Sequence, residues 1–242
     1  MTKIFLAGAT GAVGKPLCLL LMRAGFEVVG MTRSPDKAAA LARLGIVPAI
    51  IDALDAAGLA RAVAEARPEI VIHQLTDLPP GLDPKLLEPA IARNSRLRTE
   101  GTRNLVAAAL AAGARRIIAQ SVAFAYASGP EPALEEHPLD LVASGLRGVT
   151  VTGVAALERA VMETPGFAGV VLRYGRFYGP GTGFERPAGR APVHVDAAAH
   201  AALLAIARGR PGLYNIAEED GAVSSAKARR ELGWDAGFRL GS

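Results

Sequence analysis

The sequence has almost no cysteine and no long apolar run. Cys18 is the only cysteine among 242 residues, which excludes an intrachain disulfide and a metal cluster held by several cysteines. No segment is long and apolar enough to span a membrane, and the first residues have the pattern of a strand rather than of a cleavable leader. We therefore expect a cytoplasmic protein with no membrane partner.

Several signatures of other functions are also missing. The basic residues are scattered among acids despite the net charge of +4, so the basic stripe typical of nucleic-acid binding is absent and we expect no nucleic-acid partner. His194 and His200 stand six positions apart without a carboxylate cluster, so we expect no metal site. The sequence has no G-x-S-x-G segment that could form a hydrolase nucleophile elbow.

The chain does contain a regular alternation of short apolar runs and amphipathic segments, and half of its residues are hydrophobic. This order predicts an α/β fold, a doubly wound parallel sheet of the Rossmann type with helices on both faces. We expect one domain over residues 1–242, with 175–195 and 213–242 forming a reduced C-terminal lobe on the substrate side. A long helix is expected over 89–112 and another near 152–163, and Asp196 is expected to cap the helix that follows it.

A glycine-rich turn stands at the beginning of the chain, in KIFLAGATGAVGKPL over residues 3–17. Its pattern predicts a strand, a tight turn and a helix whose free N–H groups bind the pyrophosphate of a dinucleotide. A triphosphatase loop is the alternative, but Ala9 replaces its first glycine and Pro16 follows the lysine. The expected contacts of this turn are Gly8, Thr10, Gly11, Ala12, Val13 and Gly14.

The segment after the second strand indicates which dinucleotide binds. An acid at this place commonly binds the ribose hydroxyls, but the chain has Thr32, Arg33 and Ser34 there. An arginine with two hydroxyl groups can bind a 2′-phosphate, so we expect NADP, with NAD as the less favoured cofactor. The alternative is that Arg33 is a solvated loop residue.

The carboxyl ends of the other strands predict further cofactor contacts, because ligands of such sheets lie across those ends. Two interpretations of Asp52 remain open, an acceptor for the adenine amine and a cap of the next helix. The expected contacts at the strand ends are Asp52, Ala53, Gln74, Leu75, Thr76, Ser121, Arg173 and Tyr174.

Seven motifs in order resemble the extended short-chain dehydrogenase/reductase superfamily, in particular its NAD-dependent epimerase/dehydratase group. They are GATGAVG at 8–14, DALD at 52–55, GTRNLVAAA at 101–109, SVAFAY at 121–126, LRYGRFYGPG at 172–181, VHVDAAAHA at 193–201 and LYNIAEE at 213–219. The resemblance covers nearly the whole chain and implies an NAD(P)-dependent oxidoreductase or epimerase. It also implies a dimer seam formed by the helices at 89–112 and 152–163, and thus a homodimer.

The chain departs from that family in its acid–base residues. The family uses a Y-x-x-x-K pair, but the resemblance places Thr150 and Val154 there, and no lysine occurs over residues 86–226. The family's serine or threonine falls on Val122, beside Ser121. We therefore expect an atypical member of the superfamily. The catalytic candidates are Tyr126, Ser121 and Tyr174, with Tyr178 and His73 as further candidates, and each of these side chains also has a purely structural interpretation.

The segment between YGPG and VHVD has only eleven residues, too few for a nucleotide-sugar lobe. We therefore expect a small carbonyl or sugar-like substrate, bound by Arg176 and Tyr178, with the arginine facing an anionic or carbonyl group. Three hypotheses follow: an NADP-preferring oxidoreductase without the usual relay, a non-catalytic NADP-binding sensor or regulator, and a scaffold acting through the helix at 89–112.

Overall fold

The computed structural model of the protein describes residues 1–241. Seven parallel strands form the central sheet in the order β3-β2-β1-β4-β5-β6-β9, and two short strands, β7 and β8, pair separately. The strands of the central sheet are β1 Lys3–Ala7, β2 Glu27–Thr32, β3 Val47–Ile50, β4 Ile70–His73, β5 Arg116–Val122, β6 Ala168–Tyr174 and β9 Gly212–Ile216. The small sheet consists of β7 Arg176–Tyr178 and β8 Pro192–His194. The predicted doubly wound α/β fold is confirmed.

Helices cover both faces of the central sheet. One apolar core lies between the sheet and α1, α2 and α7, and a second lies under α3, α5 and α6. The helices are α1 Gly14–Arg23, α2 Pro35–Arg43, α3 Ala56–Ala66, α4 Pro84–Arg96, α5 Thr102–Ala111, α6 Gly145–Met162, α7 Val195–Arg208 and α8 Ala226–Leu232. None of the helices in residues 1–241 has the length and apolarity that crossing a bilayer requires.

Several helix ends differ from their predicted positions. The predicted helix over 89–112 begins earlier, at Pro84, and contains a π-helical turn at Leu97–Gly101 between α4 and α5. The helix predicted near 152–163 begins at Gly145. Asp196 does not cap α7: His194 is the cap, since its Nδ1 accepts from the Asp196 N–H at 3.2 Å.

The two segments predicted to form a C-terminal lobe have different positions in the fold. Residues 175–195 contain β7 and β8 at the edge of the candidate site, whereas β9 at the start of 213–242 joins the central sheet. After β9, Ala222 and Val223 line the crevice, and α8 with the residues that follow it packs on α7, where the Trp234 indole N–H donates to the carbonyl of Ala197 at 2.8 Å. Ser242, the last residue of the predicted lobe, lies outside the described residues.

Candidate active site

The glycine-rich turn between β1 and α1 is as tight as its sequence requires. Gly8 has a φ of +88°, and a Cβ there would lie 2.4 Å from the carbonyl oxygen of Gln74. A Cβ on Gly14 would lie only 2.1 Å from the carbonyl oxygen of Gly8, so α1 can approach the turn closely only with glycine at this position. No side chain caps the first turn of α1, which leaves its N–H groups available to an anion.

A crevice of about 1350 Å³ opens beside this turn, at the carboxyl ends of the strands. Its volume suits a dinucleotide together with a small second molecule. Most of the predicted cofactor contacts line it: Gly8, Thr10, Gly11, Ala12, Val13, Thr32, Arg33, Ser34, Asp52, Ala53, Gln74, Leu75 and Thr76. The loop after Tyr126 also contributes to the lining, through residues 127–131.

Arg33 lies at one end of the crevice with its side chain 57% exposed. Its Nη2 donates to Asp77 Oδ1 at 3.2 Å, and its Nη1 lies 3.9 Å from Asp52 Oδ2. The hydroxyl of Ser34 accepts from the backbone N–H of Lys37 at 3.4 Å, so Ser34 caps α2. A guanidinium and two hydroxyl groups thus lie at the end of β2, and the carboxylates of Asp77 and Asp52 approach the guanidinium from other strand ends.

Asp52 has a local role that neither interpretation of the sequence described. Its Oδ1 accepts from the backbone N–H of Leu54 at 2.9 Å and thereby closes a turn before α3. The cap of α3 is Asp55, whose carboxylate accepts from the Gly58 N–H at 2.9 Å. The helix-cap interpretation of Asp52 is therefore wrong, while its side chain still lines the crevice.

Ser121 and Arg173 point away from the crevice, contrary to their expected roles. Both contact Glu158 of α6: the Ser121 hydroxyl donates to Oε1 at 2.7 Å, and Arg173 Nη2 donates to Oε2 at 2.7 Å. Side chains alternate along a strand, so these two face α6 while their neighbours face the opposite side. The structure therefore removes Ser121 and Arg173 from the predicted ligand contacts.

Two of the predicted tyrosines also lie outside the crevice lining. Tyr174 is fully buried, and its hydroxyl donates to the carbonyl of Ala198 at 3.2 Å, while burial raises its pKa above the ordinary range. The Tyr178 hydroxyl donates to Glu218 Oε1 at 2.5 Å and accepts from Arg239 at 2.9 Å. Burial and the neighbouring carboxylate raise the pKa of Tyr178 to about 12. The Tyr178 hydroxyl serves the packing of the C-terminal part of the chain, and the Tyr174 hydroxyl connects α7 to the crevice residue Gln74, whose Nε2 donates to it at 3.3 Å.

Tyr126 does line the crevice, but its hydroxyl is already engaged. It donates to Asn215 Oδ1 at 2.7 Å, and burial raises its pKa although the guanidinium of Arg173 lies 4.8 Å from the ring centroid. His73 is fully buried, and its Nε2 lies 2.9 Å from the Thr102 hydroxyl. Burial lowers the pKa of His73 to about 4, so this ring is neutral near pH 7 and has a structural role.

The place of the family's tyrosine–lysine pair is apolar in this chain. Val154 is fully buried in a cluster with Val122, Ala125 and Val151. The hydroxyl of Thr150 donates back to the carbonyl of Leu146 within the same helix, at 3.0 Å. No acid–base group therefore stands at either position of the pair.

The opposite end of the crevice carries an arginine beside an aromatic ring. The Arg176 guanidinium carbon lies 4.7 Å from the centroid of Phe124, and both residues line the crevice. Among residues 1–241, no carboxylate forms an ion pair with Arg176, whereas Arg190 nearby is paired with Glu131 at 2.5 Å. A planar anionic molecule is a chemical match for this end.

Sequence reasoning missed Arg98, Gln120 and Phe124, which all line the crevice. Arg98 stands in an arginine-rich helical segment that resembles a solvated face, and the π-helical turn that redirects it has no clear sequence signal. Gln120 and Phe124 flank residues that the sequence did single out. Their positions next to the end of β5 could have predicted that they line the crevice.

The residues present fit a nicotinamide dinucleotide. The Gly8–Gly14 region supplies a cradle that side chains would obstruct, and Gln74 Oε1 is buried without a hydrogen-bond donor from residues 1–241. Buried acceptors normally find a partner, and the carboxamide or a ribose hydroxyl of a dinucleotide can donate to this one. Within the described part of the chain, no group of three or more His, Cys, Asp or Glu side chains is arranged to hold a metal.

Comparison with known proteins identifies relatives of this chain. A family model described as NAD(P)H-binding matches residues 8–180. A protein of a Streptomyces species, named 3-diazoavenalumate denitrifying reductase, is 42% identical over 92% of this chain and 78% of its own length.

Solved structures share the fold at low sequence identity. A UDP-glucose 4-epimerase of Thermotoga maritima, solved with UDP-glucose, aligns with a TM-score of 0.79 and 19% identity, over 99% of this chain and 95% of its own. The UDP-glucose 4-epimerase of Thermus thermophilus, in complex with NAD, aligns with a TM-score of 0.78 and 18% identity over the same shares of the two chains. The chain belongs to the NAD(P)H-binding family within the short-chain dehydrogenase/reductase superfamily, and it is an oxidoreductase-type enzyme.

Proposed function

We propose that this enzyme uses NADPH to reduce a small molecule that carries a carboxylate, by a hydride transfer that requires no proton from a tyrosine–lysine relay. The observation that carries the proposal is the combination of a complete dinucleotide cradle with an apolar cluster around Val154, where the relay lysine would stand. The hydroxyl of Tyr126 is held by Asn215, and burial raises its pKa. Such a site favours substrates whose reduction leaves no oxyanion to protonate.

A diazo compound meets that requirement, and the Streptomyces relative is named for one. When bound, NADPH supplies the hydride that forms a C–H bond at the carbon carrying the diazonium group. The C–N bond breaks and its electron pair leaves with N₂, so no side chain has to donate a proton. We therefore propose an aryl diazonium carboxylate as the substrate class.

Arg176 and Phe124 support this substrate class. The Arg176 guanidinium lies over the Phe124 ring and forms no ion pair with a carboxylate of residues 1–241, so it can offer two parallel donors to a substrate carboxylate. Tyr126 lines the same end and would confine the substrate ring rather than transfer a proton. In this proposal the site orients the reacting carbon, which is the main requirement of a hydride transfer.

The preference for NADP rests on Arg33. The segment from Thr32 to Ser34 has no carboxylate that would bind ribose hydroxyls and repel a 2′-phosphate. In the proposed complex the 2′-phosphate shares the Arg33 guanidinium with Asp77, which retains a second cation in Arg93 at 3.1 Å. Gly11, Ala12 and Val13 would hold the pyrophosphate. The adenosine and the nicotinamide ribose would contact the predicted residues at the other strand ends, which are Asp52, Ala53, Gln74, Leu75 and Thr76.

We further propose that the protein is cytoplasmic, since NADPH is generated and used inside the cell. We also propose that it is a homodimer formed through α4 and α6. Helices α4 and α6 pack side by side, with Gly153 so close to Ser95 that a Cβ would lie 2.7 Å from its Oγ. Their outer surfaces expose Leu86, Leu146 and Val149. Sedimentation of the purified chain tests this assembly.

Isotope transfer tests the proposed reaction. NADPH carrying deuterium at the reactive carbon is incubated with the enzyme and 3-diazobenzoate, and the product is analysed by mass spectrometry. Deuterium is expected at the ring carbon that lost N₂, with stoichiometric NADP⁺. Heat-inactivated protein is the control, because it shows how much of the diazonium ion decomposes without catalysis.

A non-catalytic NADP-binding sensor is the second candidate, and the missing relay is the observation that favours it. Tight binding of NADPH without isotope transfer to diazonium or carbonyl substrates would support the sensor and contradict the reductase. Transfer to carbonyl substrates alone would contradict the substrate class proposed here.

A further inference from the structure

Arg98 is a buried cation that the reaction described above does not use. Its residue is only 7% exposed, yet its side chain lines the crevice. It lies on the π-helical turn Leu97–Gly101 between α4 and α5. Such turns frequently occur at functional sites, because the wider turn redirects the side chains that it carries.

Within residues 1–241, no carboxylate pairs with Arg98 and no side chain or carbonyl accepts a hydrogen bond from its guanidinium. The nearby His73 offers no counter-ion either, because an imidazole carries no negative charge in any protonation state, and the Arg98 cation itself helps to lower the His73 pKa. Burial lowers the pKa of Arg98 to about 10, which still leaves the guanidinium protonated near pH 7. A buried cation without a counter-ion is unfavourable and is rarely retained without a partner.

The other buried arginine of this region shows how the chain normally neutralises such a charge. Arg173 is paired with Glu158 at 2.7 Å, with side chains 4% and 9% exposed. On the helix of Arg98 itself, Arg96 is exposed and is paired with Glu100 at 2.7 Å. Arg98 thus differs from Arg173 and Arg96. It faces the crevice, and no carboxylate of residues 1–241 forms an ion pair with it.

We propose that Arg98 is an anion-binding residue of the crevice, neutralised by an oxyanion of a bound reactant. Part of this inference rests on the proposed function, which supplies two oxyanions. They are the pyrophosphate of the dinucleotide and the carboxylate of the substrate. A planar guanidinium with several donors suits either one. The counter-ion of Arg98 is therefore a ligand instead of a protein side chain.

The variants Arg98→Met and Arg98→Lys test the inference, with Arg96→Met as the matched control on the same helix. One arm measures the dissociation constants of NADPH and of inorganic pyrophosphate by fluorescence titration and competition. The other arm measures benzoate binding, with benzamide as the uncharged control, to the enzyme saturated with NADP⁺. Neither arm requires turnover, so a failure of the diazonium reaction does not affect the result.

Arg98→Met is expected to weaken either NADPH and pyrophosphate or benzoate by about tenfold or more, the size expected for a lost charge-assisted hydrogen bond. Arg98→Lys should restore part of this affinity, and Arg96→Met should change none of it. The Arg98→Met apoprotein should also unfold at a higher temperature, because the uncompensated charge is gone. Unchanged affinity for NADPH, pyrophosphate and benzoate in both Arg98 variants would overturn the inference, whatever the melting temperature.

Discussion

The guanidinium of Arg173 and the carboxylate of Glu158 meet through two parallel hydrogen bonds, Nε to Oε1 at 2.8 Å and Nη2 to Oε2 at 2.7 Å. The pair joins β6 to α6 behind the crevice, and Ser121 of β5 adds a third hydrogen bond to the same carboxylate. It therefore fixes the ends of two strands that carry the site. The pair has a structural role next to the ligand crevice.

Glu158→Gln should lower the free energy of unfolding by about 3–5 kcal/mol, because it leaves the Arg173 charge buried without a counter-ion. Urea denaturation followed by circular dichroism measures the change. Glu163→Gln is the matched control, since Glu163 forms an exposed pair with Arg159 in the same region and should cost about 1 kcal/mol or less. Equal losses in the two variants would contradict the assigned role of the buried pair.

Arg33→Ala should raise the dissociation constant of NADP by about tenfold or more, because a 2′-phosphate loses its charge-assisted hydrogen bonds. Binding of NAD, which lacks that phosphate, should change little. Calorimetric titration with both cofactors gives the ratio, and Arg43→Ala on the outer part of α2 serves as the control. If NADP and NAD lose affinity equally, the role proposed for Arg33 is refuted.

Tyr126→Phe should slow the isotope-transfer reaction by less than about tenfold, whereas loss of a general acid commonly costs about 10²–10⁴-fold. The physical reason is that the Tyr126 hydroxyl is bound to Asn215 and has a raised pKa. Single-turnover measurements of deuterium transfer give the rate without interference from product release. A loss of several hundred-fold at unchanged cofactor affinity would identify Tyr126 as a proton donor.

The stability of the protein should fall as the pH drops from about 6.5 towards 4 because of His73. Its folded pKa of about 4 lies below the ordinary 6.5, so the unfolded chain takes up a proton in this interval and the folded chain does not. The full shift corresponds to roughly 3 kcal/mol. His194 and His200, whose pKa values burial also lowers, add to the same trend.

Denaturant midpoints across this pH interval test the assignment in the wild-type protein and in His73→Gln. The variant should have a shallower pH dependence, since glutamine does not titrate. Thr102→Val keeps the histidine and removes only the hydroxyl group beside its Nε2, so it should retain most of the slope. An unchanged slope in His73→Gln would show that other groups cause the pH dependence.

The order of strands and helices could be predicted from the sequence because local signals agreed with the global fold. Ser34, Pro35 and Gly45 are typical helix-end residues, and in the structure they lie at the two ends of α2. Gly8 and Gly14 have the backbone conformation and the close contact that their spacing predicts. These features depend on residues that are close together in the sequence, so one sequence is enough to predict them.

The side-chain directions at the strand ends could not be predicted in the same way. Ser121 and Gln120 are adjacent, yet only Gln120 lines the crevice, because successive side chains alternate between the faces of a strand. The partner that holds Ser121 is Glu158, which is 37 positions away on α6. The direction of Arg98 depends on a π-helical turn whose cause lies in packing rather than in local sequence.

The first turn of α7 connects the end of the chain to the substrate end of the crevice. Asp196 Oδ2 accepts from the Leu240 N–H at 3.0 Å, and Trp234 holds the Ala197 carbonyl of the same turn. This turn directly follows β8, which pairs with the strand β7 that begins at Arg176. Deleting residues 230–241 would therefore remove both contacts with this turn, disturb the register of β8 against β7 and move the Arg176 guanidinium at the crevice.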